Sequence, residues 1–163
     1  MTTMTAEMPE ATETAVRPTF VYVTYIHASP EKIWQALTTP EFTRQYWNGQ
    51  TVRSTWKKGA SVEFVKADGT VKMRGEVLEI DPPRSLTYTF CSPHPDGRPA
   101  DETSRARYEI SQAMGVSKLT ITHDHFEPDS TLPGKIKEGW PAVLSGLKSL
   151  LETGKPLPLD WQC

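Results

Sequence analysis

His123 and His125 flank Asp124 near the end of an alternating apolar run, and the phenols of Tyr88 and Tyr108 stand in the two runs before it. Residues two apart on a strand share a face and lie about 7 Å apart. Two imidazoles so placed would give a zinc ion two nitrogen ligands, and such a site needs a third and usually a fourth. His27 and His94 are the only other histidines, so no metal site and no cofactor is expected. The plainer reading is a pair of inward histidines hydrogen-bonded to the tyrosine hydroxyls or to backbone. A neutral histidine beside a phenol would also polarise a carbonyl or move a proton near neutral pH. No nucleophile with a base and an orienting partner is legible, and Ser111 and Ser117 lack the G-x-S-x-G context of a serine hydrolase. No catalytic residue is therefore assigned.

The elements that must hold these groups follow from pattern and punctuation. Residues 20–26, FVYVTYI, form a β-branched and aromatic run typical of a strand. Ser29-Pro30 caps and opens a short helix over residues 31–37, and Thr39-Pro40 repeats the signal for a second one carrying Phe42, Tyr46 and Trp47. Asn48-Gly49 ends it as a left-handed pair. The period then changes to alternation, which predicts strands over residues 52–56, 61–66, 71–80, 85–91, 104–114 and 116–126. Gly59, Gly69 and Gly115 serve as turn residues. Residues 92–103 hold Pro93, Pro95 and Pro99 and form a loop. Residues 132–152 place Ile136, Trp140, Val143, Leu144, Leu147, Leu150 and Leu151 at helical spacing, one apolar stripe. Pro141 removes the bond to Lys137 and bends this helix early.

Phase gives the sheet two different faces. Leu119, Ile121, His123 and His125 share one side of the last strand, as do Ala106, Tyr108 and Ile110 of the strand before it and Leu86, Tyr88 and Phe90 of the one before that. An antiparallel sheet tolerates one wet face, and its apolar face needs a cover. The long C-terminal helix carries the only matching stripe. Trp34 and Trp140 are expected in the core and Trp47 at a pocket rim.

The chain has 163 residues with 37% hydrophobic content and a net charge of -2, enough for one domain of both signs interspersed. That balance gives no reason to expect nucleic acid as a partner. No run approaches the ~20 apolar residues of a membrane span. Cys91 and Cys163 alone make no disulfide framework, so a reducing cytoplasm is expected. Residues 1–17 read as a disordered N-terminal tail, 18–154 as the domain and 155–163 as a C-terminal tail.

Residues 25–41, YIHASPEKIWQALTTPE, resemble the opening motif of the START-like, or polyketide cyclase/Bet v 1-like (SRPBCC), superfamily. Residues 75–90, GEVLEIDPPRSLTYTF, look like its subgroup named after the activator of the heat-shock-protein-90 ATPase, and residues 118–123 and 139–152 fit the same subgroup. The resemblance implies an α+β helix-grip fold: a curved antiparallel sheet of about seven strands around a long C-terminal helix, with two short helices after the first strand. It implies no shared catalytic set. Three functions are compatible with it. The first is binding of a small apolar or amphipathic ligand in an internal cavity between sheet and helix, lined by Trp47, Phe64, Met73, Tyr88, Phe90, Tyr108, Ile121, His123, His125, Trp140 and Leu144, with the loop at 92–103 as a lid. The second is a cyclase, dehydratase or hydrolase using the Tyr and His groups. The third is docking to a chaperone or another protein partner through the outer sheet face and first strand. Monomer and homodimer are both left open.

Overall fold

The computed structural model describes residues 19–94, 96, 98, 100 and 102–161. The expected N-terminal tail lies outside the described residues, as do four positions of the Pro-rich loop and the last two residues. In chain order the elements are β1 (Phe20–Ile26), α1 (Pro30–Thr38), α2 (Pro40–Tyr46), β2 (Thr51–Arg53), β3 (Ser61–Val65), β4 (Val71–Asp81), β5 (Ser85–Phe90), β6 (Ser104–Ala113), β7 (Val116–Asp124) and α3 (Leu132–Thr153).

Local chemistry explains their ends. Ser29 Oγ accepts the Lys32 N–H at 3.1 Å and Pro30 opens α1, while Pro40 opens α2. Asn48 and Gly49 take φ of 47° and 70°, turning the chain out of α2 and into β2. Gly154 takes φ of 82° and its N–H closes α3 on the Leu150 carbonyl at 2.9 Å. Strand β2 is shorter than residues 52–56. It ends at Arg53; Trp56 adopts φ of 54°, and its indole N–H donates to the Thr38 carbonyl at the end of α1 at 2.9 Å.

The sheet runs in the order β1-β7-β6-β5-β4-β3-β2, so residues 51 to 124 form the expected antiparallel meander and β1 returns to the far side of β7. The register shifts between Phe64 and Val65 and again between Val77 and Glu79. Such irregularities bend the strands that carry them. Between them lies Gly75, where an added Cβ would fall 1.8 Å from the Thr89 carbonyl oxygen of β5.

One core joins the layers. From the sheet come Phe64, Met73, Val77, Leu86, Tyr88, Tyr108, Leu119 and Ile121; from α3 come Ile136, Trp140, Val143, Leu144, Leu147 and Leu150. The α3 stripe is the one its sequence predicts, and the helix carries Pro141 inside a single span of 22 residues. Ile33, Ala36 and Leu37 of α1 close one side, and the Tyr46 hydroxyl of α2 donates to the Ala36 carbonyl at 2.6 Å. This is the helix-grip arrangement.

Candidate functional site

Register places the inward polar groups. Tyr88 of β5 stands opposite Ala106 of β6, which stands opposite His123 of β7; Tyr108 stands between Leu86 and Ile121. The small Ala106 leaves room on either side, so the rings of Tyr88 and Tyr108 meet diagonally and their hydroxyls bond at 2.9 Å. Both phenols are buried. Burial raises their pKa values well above the ordinary one, so both stay protonated.

His123 is fully buried in a chain of hydrogen bonds with one consistent direction. The Trp140 indole can only donate, and its N–H reaches His123 Nδ1 at 2.9 Å. Nδ1 is therefore the bare nitrogen of a neutral ring, and the proton sits on Nε2. Nε2–H donates to Ser104 Oγ at 2.6 Å, and Ser104 donates to the Phe90 carbonyl at 3.2 Å. Burial pushes the imidazole down to about 4, against the weaker opposing pull of Asp124. Both ring nitrogens are thus engaged in holding α3 to β6 and β7.

His125 does not join it. β7 ends at Asp124, and His125 takes φ of 64°, which breaks the alternation. Its ring turns to solvent, with Nδ1 2.8 Å from Asp124 Oδ1. The inward place goes to Phe126, which is fully buried and stacks on His123 with centroids 4.9 Å apart. Continuing the strand to residue 126 therefore placed the wrong side chain inside. The cue was the apolar Phe126 directly before Glu127-Pro128. The two imidazoles do not converge, and among the described residues no group of three His, Cys, Asp or Glu side chains is arranged to hold a metal ion.

The remaining inward residues divide by depth. Phe64, Met73, Tyr88, Tyr108, Ile121 and Leu144 are buried in the core around an aromatic cluster: Tyr88 lies 5.8 Å from Tyr108, and Tyr108 meets Trp140 edge-on at 5.7 Å. Rings therefore fill the region where sequence reasoning placed the cavity. The opening lies at one end of the core, beside the first half of α3. Trp47, Phe90 and Trp140, all predicted, form its aromatic wall, with Leu132, Ile136 and Val143 from α3 and Trp161 from the chain's end. The cleft has a volume of about 260 Å³. Trp47 follows the α2 turn, packs on Phe64 at 4.3 Å and meets Trp140 edge-on at 5.3 Å. Sequence reasoning missed Trp161, a lone aromatic in a Pro-rich segment read as tail; it is half-buried against the core.

A polar concavity adjoins the cleft. It is lined by Ser92, Pro93, His94, Ala100, Glu102, Thr131, Leu132 and Lys135, and Ser92, Leu132 and Lys135 belong to both. At the opposite end of β1 and β7 lies a larger hollow of about 630 Å³ between residues 27–29 and the β6–β7 turn, residues 112–117. It has no apolar aromatic wall, and its largest apolar side chain, Met114, is 81% exposed at the turn.

Comparison with known proteins bears on this arrangement. The family model described as activator of Hsp90 ATPase homolog 1-like protein matches residues 27–152. The chain belongs to this family. No curated protein matches its sequence. Among solved structures, a protein from Mesorhizobium loti is 27% identical, with a TM-score of 0.70 over 83% of this chain and 97% of the other. The Aha1 dimer from Colwellia psychrerythraea is 20% identical, with a TM-score of 0.69 over 85% and 98%. DynU16, a protein in the dynemicin biosynthetic locus, is 20% identical, with a TM-score of 0.70 over 88% of this chain and 51% of the other. At such identities the last two show the shared fold alone. Among the described residues, no helix is long and apolar enough to cross a membrane.

Proposed function

We propose that this chain binds a small apolar or amphipathic molecule in the cleft beside the first half of α3. One observation carries the reading: Trp47, Phe90 and Trp140 meet over about 260 Å³ of space at the end of an otherwise filled core. Ligand pockets run upward from roughly 300 Å³, so the fitting ligand is small, of one or two rings. Flat aromatic walls suit such ligands by stacking. The enzymatic alternative asked for accessible Tyr and His groups converging on a ligand. Tyr88 and Tyr108 bond to each other in the core and His123 has both nitrogens engaged, which weighs toward binding.

Gly139 provides the test. It lines the cleft, and an added Cβ there meets nothing within 4 Å. Gly139→Leu fills the cleft while removing a glycine from a helix interior, a change worth up to about 1 kcal/mol in favour of folding. The expected outcome is loss of naphthalene binding in calorimetry with a thermal midpoint equal to or above that of the native chain. Unchanged affinity in a folded Gly139→Leu protein would remove the cleft as the site.

A second reading has its own observation. Val21, Val23 and Tyr25 expose 55%, 41% and 38% of their surface along one side of the edge strand β1, a run without charges. Edge strands are ordinarily guarded by charge or proline. This face would suit a chaperone, as the family description suggests, or a second copy, since the Colwellia relative is described as a dimer. Val21→Glu with Val23→Glu should abolish stimulation of a purified Hsp90 ATPase under the first and sedimentation as a dimer under the second. If the native chain does neither, this face is no docking surface.

A further inference from the structure

Resting on the cleft as the binding site, we infer that its ligand is an anionic amphiphile, a small apolar body carrying a carboxylate that Lys135 receives. The apolar cleft and the polar concavity form one continuous groove with Lys135 at their junction, one turn of α3 before Gly139 and Trp140. A molecule lying with its rings against Trp47 and Trp140 therefore puts a terminal polar group beside this ammonium. Among the described residues, Lys135 is the only lysine or arginine lining either part, and it makes no ion pair. The one carboxylate lining the groove among the described residues, that of Glu102, accepts the Glu127 N–H at 2.9 Å and bonds the Ser130 hydroxyl, tying the approach to α3. It therefore holds the chain in place; its charge remains in the concavity, but no ion pair joins it to Lys135 among the described residues. His94 and the hydroxyls of Ser92 and Thr131 line the same polar part and offer further polar contacts for a headgroup. An uncharged apolar molecule would fill the aromatic end and leave this end to water. A cationic one would meet Lys135 as a like charge.

The test compares 2-naphthoate with 2-naphthamide, nearly equal in shape and different in charge, by calorimetry on the full chain. Their affinity ratio in the native protein is measured against the same ratio in Lys135→Gln and Lys135→Glu, which cancels the two ligands' own hydration. Lys135 is exposed, so neither variant disturbs the core. A partly exposed ion pair is worth about two- to fivefold. The carboxylate-to-amide ratio should fall by about that factor in Lys135→Gln, fall further in Lys135→Glu, and shrink in the native chain at high salt. Equal ratios in all three proteins, with both compounds bound, would overturn the inference and leave the cleft standing. Binding of neither compound to the native chain would overturn both.

Discussion

His123 shows how an inward histidine becomes structural. Its ring accepts from Trp140 and donates to Ser104, so a second proton on Nδ1 would face an N–H that can only donate. Burial pushes the imidazole down to about 4 against an ordinary 6.5, so the folded chain resists protonation. In the unfolded chain the same ring takes a proton as pH falls through about 6.5. Between these values the unfolded state binds more protons, so stability rises with pH there. The contribution is complete above the unfolded value and is lost progressively down to about pH 4. Over the fall from about pH 7 to about pH 5 the loss should be about 2 kcal/mol. Urea unfolding of the native chain should show it, and His123→Gln, though less stable throughout, should have a flatter profile. Parallel profiles would mean that His123 is not shielded as described. The pairing of His123 with the hydroxyl of Ser104 was not legible beforehand, because it depends on β6–β7 register and on Ala106 leaving a gap. That His123 faces inward was legible from alternation alone.

At the level of elements, the sequence determined most of what formed. Caps and prolines placed α1 and α2, turn glycines separated the strands, and the α3 stripe identified the cover for the sheet. The misreadings occurred at strand ends: β2 stops at Arg53, before a Trp56 in the left-handed region, and β7 stops at Asp124, before a left-handed His125. A bulky Trp rarely adopts that conformation, and His, though it does so more often than most, usually does not. Alternation has no memory of such breaks, so Phe126 and His125 exchanged places. Gly75 is a converse case, a glycine inside a strand whose need is visible only in the fold. The Thr89 carbonyl of β5 occupies the space a Cβ would need at 1.8 Å, and the Thr89 hydroxyl accepts the Glu76 N–H at 2.8 Å. Backbone cannot yield there as a side-chain tip would. Gly75→Ala should therefore destabilise the domain by about 2 kcal/mol or more in denaturant unfolding. The same substitution at the open Gly139 should not. Equal stability of the two alanine variants would contradict this account of the β4–β5 bend.

For the whole molecule, the sheet and α3 do close on one another, but they close on rings. A cavity could be anticipated from an apolar inner face, yet its volume depends on how far Phe64, Tyr88, Tyr108 and Trp140 interdigitate, which no pattern reports. What remains open is the end of the core, where Trp47 arrives from α2, Phe90 from β5, Trp140 from α3 and Trp161 from the chain's end. The five tryptophans thus sort into two sets, three lining the cleft and two, Trp34 and Trp56, packed elsewhere on the core. Each indole N–H gives its own signal in a proton–nitrogen correlation spectrum, so a titration with 2-naphthoate tests the cleft directly. The signals of Trp47, Trp140 and Trp161 should shift together and saturate, while those of Trp34 and Trp56 stay in place. Saturable shifts confined to Trp34 and Trp56, or no shifts at all, would contradict binding in this cleft.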